Sequence, residues 1–305
     1  MNDEKSNDNF RFPAEFADHE AIWLGWPVYE NMKGISSIPV FLEIIRVLVN
    51  LKPKPGGAKP LRVNIAAQSE GEGQKAEIEK RIKEASIPTD QITIYTIPHD
   101  DIWFRDTGPI FLCDGQGKMV VQKFGFNGWG YEAEDSPLIA RDRKVPDLIA
   151  QQLGLQLKDP KPTLISEGGD REFNGKGTMI AVETVERQRN PNKSREEIET
   201  EFNKIFNLKK VIWLKKGLYE DDHVFDGPLP GPDGRKDILT CMTTGGHIDE
   251  FCRFVDANTV LLAEVTKEEA ETNPVAKVNR ERMEENVRIL TNARDQDGNP
   301  FNIKR

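Results

Sequence analysis

The chain has little cysteine: Cys113, Cys241 and Cys252 are the 3 among 305 residues, an odd number with no C-x-x-C spacing. That excludes a disulfide framework and a cysteine zinc cluster. Histidine is scarce too, with 4 residues, His19, His99, His223 and His247. A metal site would need carboxylates, and no spaced motif supplies them; neither metal nor cofactor is expected. No apolar run approaches the ~20 residues of a membrane-spanning helix. The opening MNDEKSNDNF also lacks the basic start and apolar stretch of a secretion signal. A cytoplasmic chain without a membrane partner is the expectation. Positive charge is in deficit as well, 42 Lys and Arg against 51 Asp and Glu, a net charge of -9. Nucleic acid is therefore not an expected partner, and a cationic ligand suits the chain better.

What is present is a globular pattern, with 37% hydrophobic residues. Apolar runs rich in β-branched residues at 61–66, 91–97, 118–124, 178–183, 210–214 and 259–265 predict short buried strands. Between them, residues 41–51, 145–154, 194–208 and 276–290 carry apolar spacings of three to four and predict helices. Ser194 and Glu197 form an S-x-x-E capping box for the third helix. Strands alternating with helices indicate an α/β protein.

Three segments repeat one plan: RDTGPIFLCDGQGKMVVQKF, SEGGDREFNGKGTMIAVE and GGHIDEFCRFVDANTVLLAEV. Each opens on acidic residues and glycine, crosses a tight turn (DGQG, NGKG, DANT) and returns on an apolar strand. Asn and Gly tolerate positive φ, so these are hairpin turns. Hairpins repeated around a common axis would bring their acidic entrances together.

The entrances hold the candidate site residues. HDDIWFRDTGPIF sets Asp106 next to Arg105 and close to Trp103; it reads either as a binding segment or as a salt-bridged loop over a core tryptophan. ISEGGDREF places Glu167 before two glycines, which permit close backbone approach or simply turn the chain. If GGHIDEFCRF is one strand, alternation puts His247, Asp249 and Arg253 on one face and Cys252 on the other. A histidine beside a carboxylate suits proton transfer, and it equally describes a salt-bridged histidine. Carboxylates sharing a pocket repel by about 4 kcal/mol per pair at ~4 Å and an effective dielectric of ~20. A planar guanidinium would relieve that repulsion, a metal ion or a pair of glycosidase carboxylates being the alternatives.

HEAIWLGWP, DIWFRDTGPIF, EGGDREFNGKGT, RQRNP, VIWLKKGL and GHIDEFCRFV, in this order, resemble the agmatine deiminase and bacterial peptidylarginine deiminase family. The resemblance implies a pseudo-fivefold α/β propeller of ββαβ units. It also implies hydrolysis of a guanidinium, agmatine to N-carbamoylputrescine and ammonia, through a cysteine thiouronium intermediate. By similarity Asp106 and Asp249 clamp the guanidinium and Trp103 walls the pocket. Glu167 holds substrate or orients the histidine, and His247 is the general acid and base. The family's G-x-H-C nucleophile segment has no match here. The expectation is one domain over residues 1–305 whose fifth unit is missing or incomplete, inactive by itself, with the last residues of RDQDGNPFNIKR opening a strand. Gly245 replaces the usual Asp of the motif, and residues 220–237 read as an inserted loop. An inactive guanidinium binder, a peptidylarginine deiminase, or an amidinotransferase or dimethylarginine hydrolase on the same fold are the alternatives. A homo-oligomer is compatible with all of them.

Overall fold

The computed structural model describes residues 9–28, 36–52, 59–222, 228–238 and 243–305. The chain divides into two compact units. Residues 18–109 with 135–157 form the first; 110–134, 158–305 and the N-terminal segment to residue 17 form the second.

The first unit holds a sheet of three parallel strands, β1 (Ala21–Gly25), β2 (Arg62–Ala67) and β3 (Ile92–Thr96), in that order. Parallel neighbours need a crossover, and α1 (Ile38–Val49) and α2 (Lys75–Glu84) supply it. Ile38, Ile45 and Val49 share the buried face of α1, and Ile78 and Ile82 that of α2. With Val63, Ile65 and Trp26 they make the unit's core. The one-turn helix α3 (Phe104–Thr107) and α4 (Val145–Leu153) complete it.

The second unit repeats a hairpin followed by helix and strand. β4 (Ile110–Cys113) and β5 (Met119–Gln122) pair antiparallel, and β6 (Leu157–Asp159) joins them as the third strand. β7 (Arg171–Phe173) and β8 (Thr178–Val182) pair antiparallel. After α5 (Glu183–Arg189) and α6 (Arg195–Phe206), β9 (Lys210–Leu214) lies parallel to β8. Then come a short helix α7 (Tyr219–Asp222) and a small hairpin of β10 (Leu229–Pro230) and β11 (Lys236–Ile238). β12 (Cys252–Phe254) and β13 (Thr259–Leu262) form the third hairpin of the plan. α8 (Lys267–Thr272) and α9 (Pro274–Asn292) lead to β14 (Asn302–Lys304), parallel to β13.

The three predicted hairpins are therefore present, with DGQG, NGKG and DANT at their tips. The box at Ser194 forms, the hydroxyl accepting from Glu197 N at 3.2 Å and Ser194 N donating to Glu197 Oε2 at 2.7 Å. β1 and α2 escaped the sequence reading. The inserted segment is not simply a loop, since β10 and β11 lie within it; residues 223–227 are outside the described residues.

Alternation along β8 and β9 decides where the cores sit. Ile180, Val182, Ile212 and Leu214 face one cluster, with Phe254, Val260, Leu262, Met283 and Leu290. Met179, Ala181, Val211 and Trp213 face the other, with Phe173, Ile198, Phe202 and Phe206. A sheet buried on both faces is a rigid platform for the residues at its strand ends. No helix among the described residues is long and apolar enough to cross a membrane.

Candidate active site

Each of the three hairpins is entered through one short helical turn: α3 before β4, Gly168–Asp170 before β7, and Ile248–Glu250 before β12. The predicted site residues sit on or beside these turns. In the second unit, two of the three entrances meet side by side.

Glu167 stands just ahead of its turn and is wholly buried. Its backbone is fixed from α5: Asn190, which caps that helix, accepts from Ile165 N at 3.0 Å and donates to Ile165 O at 2.8 Å. The preceding residue of the cap, Arg189, donates Nε–H to both Glu167 oxygens at 2.9 and 3.0 Å. His247 Nε2 lies 3.3 Å from Glu167 Oε2, and the ring is buried. Burial alone would raise the Glu167 pKa, but the Arg189 and His247 charges outweigh it and hold the carboxyl at about 2. An ionised Glu167 makes Nε2 the donor, so on the neutral ring Nδ1 is the basic nitrogen.

The loop carrying His247 departs from expectation. GGHIDEFCRF is not one strand, because residues 248–250 form a 3-10 turn and β12 starts only at Cys252. The cause is Asp221, buried at the end of β9's following helix α7. Its carboxylate accepts Thr244 N at 2.8 Å, Gly246 N at 2.6 Å and His247 N at 3.2 Å, and also the Thr244 hydroxyl. Amide groups gathered onto one carboxylate are not available to a strand ladder. Gly245 and Gly246 take φ of 89° and 110°, which a side chain would resist. A Cβ on Gly245 would also stand 3.0 Å from Gln188 Oε1, a local reason for glycine there.

The structure therefore brings Glu167 and His247 together from separate hairpins. Asp249 lies half-buried in the turn two residues after His247, and the carboxylate bonded to the imidazole is Glu167. Trp103 and Asp106 belong to the first unit, Trp103 exposed ahead of α3 and Asp106 half-buried within it. Among the described cysteines, Cys252 is buried in the core with Phe254 and Val260, and burial drives its thiol pKa far up. Cys113, at the end of β4, is raised by burial and by Asp114. Neither has the lowered pKa of an activated nucleophile. Cys241 lies outside the described residues.

Around the Glu167–His247 pair is a second buried layer that sequence reading missed. Ser166 donates to Glu186 Oε1 at 2.6 Å, and Arg171 donates to the Ser166 hydroxyl at 2.5 Å while lying 4.0 Å over the Phe124 ring. Burial raises Glu186 to about 7 and, together with the charge of Glu186, raises Asp170 well above the usual carboxylate range. The layer sets two acids of raised proton affinity, with the Arg171 guanidinium, beside one ionised carboxylate.

Comparison with known proteins places the chain among deiminases. The chain is 28% identical to the agmatine deiminase of Pseudomonas putida over 308 aligned positions, covering 99% of this chain and 71% of that one. The agmatine deiminase of Ectopseudomonas mendocina is 29% identical, with 95% of this chain and 68% of that one covered. The solved structure of the Enterococcus faecalis agmatine deiminase superposes with a TM-score of 0.71 at 22% identity, over 97% of this chain and 70% of that one. That likeness shows a shared fold. The sequence model of the Porphyromonas-type peptidyl-arginine deiminases matches residues 11–227 and 235–305, nearly the whole length. The chain belongs to the Porphyromonas-type peptidyl-arginine deiminase family.

Proposed function

We propose that these residues form the guanidinium-binding and acid–base part of a deiminase acting on agmatine. The reaction takes up water, releases ammonia and leaves N-carbamoylputrescine. The observation that carries the reading is the buried Glu167–His247 pair, 3.3 Å apart, in a family whose relatives include proteins named agmatine deiminase. His247 takes a proton from water or gives one to departing ammonia, and Glu167 fixes the ring. Asp106 and Asp249 are assigned to the guanidinium and Trp103 to its face, by similarity to the family motifs.

The fold reading is finer than a mixed α/β protein. A five-sector propeller of ββαβ units calls for one three-stranded unit beyond the four three-stranded sheets found among the described residues. The attack on the guanidinium carbon calls for a thiolate, and Cys113 and Cys252 do not supply it.

Their placement favours a second reading, a guanidinium binder without turnover. Calorimetry with agmatine, arginine and an arginyl peptide, run beside an assay for ureido product and ammonia, separates the two. Agmatine binding with product supports the deiminase; binding without product supports the second reading. Absence of binding, with His247→Ala indistinguishable from the parent, overturns both.

A further inference from the structure

The buried guanidinium of Arg189 has no part in the reaction described above, yet it touches both halves of the Glu167–His247 pair's support. Its Nε donates to both oxygens of Glu167 at 2.9 and 3.0 Å. Nη2 donates to the carbonyl of Thr244, the loop residue that Asp221 grips three positions before His247. Nη1 donates to Gln188 Oε1 at 2.8 Å. The side chain is wholly buried, so these bonds are its replacement for water. Two glycines make room for it: Cβ atoms on Gly130 and Gly245 would stand 3.3 and 3.5 Å from Nη1.

We propose that Arg189 is a positioning residue that sets the proton affinity of His247 through Glu167 and fixes the ring's loop through Thr244. It rests on His247 being the acid–base group of the site. One planar cation with donors on three nitrogens suits this task, because a fork reaches a carboxylate and a carbonyl at once and a lysine ammonium does not. The charge matters as much as the shape. With Arg189 in place, Glu167 stays an anion whose field is partly cancelled. Without it, the pair of Glu167 and His247 retains one proton to higher pH.

The groups interacting with the imidazole are Glu167 and Asp170 from the β7 entrance and Glu250 from its own turn; behind them stand Arg189 on Glu167, Glu186 with Arg171, Asp221 on the His247 amide, and Asp249 beside Glu250. Arg189 is the cation bonded directly to Glu167, so its removal has one direction of effect.

The test is an NMR titration of the 305-residue chain labelled with 15N histidine, His247 being assigned by its loss in His247→Gln. In Arg189→Gln the His247 midpoint is expected to rise by about 1 pH unit or more, and in Arg189→Lys, which keeps the charge, by well under half of that. In a Glu167→Gln background the shift caused by Arg189→Gln is expected to shrink strongly. A folded Arg189→Gln with the parent midpoint overturns the proposal, as does an equal shift with and without Glu167. Should Arg189→Gln not fold, the parent protein decides. An arginine Nε–H protected from exchange, moving at the His247 midpoint and lost in Arg189→Lys, supports the proposal; an Nε–H exchanging like an exposed arginine overturns it. Agmatine calorimetry on the same samples reports separately on the proposed function: no agmatine binding together with the histidine shift overturns that function and leaves the coupling of Arg189 to His247 standing, at a site of other use.

Discussion

Two acid-rich turns of this chain look alike in sequence and differ in how their charges are held. Around 99–106 in the first unit, the carboxylates meet mainly backbone amides, some of them 41 or 42 positions away in sequence. Asp142 Oδ1 accepts Asp100 N at 2.8 Å and Asp101 N at 3.3 Å, Asp101 accepts Ile102 N at 2.7 Å, and Asp100 pairs with the exposed Arg141 at 3.7 Å. Around Glu167 in the second unit, the partners are buried side chains from elsewhere in sequence, Arg189 and His247. Capping of carboxylates by backbone amides makes a stable loop. Only the second arrangement fixes an ionised carboxylate against a titratable ring, and that is what proton-transfer chemistry requires.

The contrast breaks most sharply on removal of one acid from each turn. Glu167→Leu leaves the Arg189 guanidinium and His247 without their buried acceptor, and a loss of about 3–5 kcal/mol is expected in urea unfolding at neutral pH. Asp100→Ala removes an exposed pair and should lose less than about 1 kcal/mol. Comparable losses for the two would show that burial is not what separates them.

The pH dependence sharpens it next. Asp142 is raised to about 7, first by burial and then by Asp100 and Asp101, while the two backbone amides oppose the rise. The folded chain therefore keeps a proton that the unfolded chain releases above its ordinary value of 3.8. Stability from this group is full at acid pH and falls as the pH climbs from ~4 through ~7, on the order of 4 kcal/mol in all. Glu186 acts with the same sign, and Glu167, held at about 2, with the opposite one, losing stability only as the pH drops through 4.5 toward 2. Unfolding free energies measured across pH for the parent and Asp142→Asn should converge near pH 4 and separate by pH 8, the variant being the flatter. Parallel curves would place Asp142's carboxyl in water.

Much of the fold was legible because its signals are local. DGQG, NGKG and DANT give hairpins from turn chemistry, and Ser194 with Glu197 marks a helix start within four residues of chain. The pairing of Glu167 with His247 was legible only as a convergence of repeated entrances. Their separation of 80 positions carries no local signal. Arg189 was visible within RQRNP but without a task, since only the fold turns its side chain inward by 22 positions' worth of chain onto Glu167. The strand expected through His247 failed for a similar reason: Asp221, 26 positions away, takes the amide that a ladder would have used.

That misreading supplies the smallest and most local comparison. Asp221 and Asp101 both accept backbone amides, but Asp221 gathers three of them from the loop bearing His247, whereas Asp101 caps its own neighbour Ile102. In Asp221→Asn one oxygen remains where two were used, and the amide nitrogen faces donors it cannot accept from. A loss of about 2–3 kcal/mol is expected, together with faster exchange of the Gly246 and His247 amides. Asp101→Asn keeps the acceptor that Ile102 needs and should change stability by less than about 1 kcal/mol, leaving amide exchange in the second unit as it was. If Asp221→Asn leaves both stability and those two amides untouched, the loop is held by its other bonds, Arg189 at the Thr244 carbonyl, Tyr131 at Thr243 N and the Asp221 carbonyl at Gly245 N, and the carboxylate is incidental to the placement of His247.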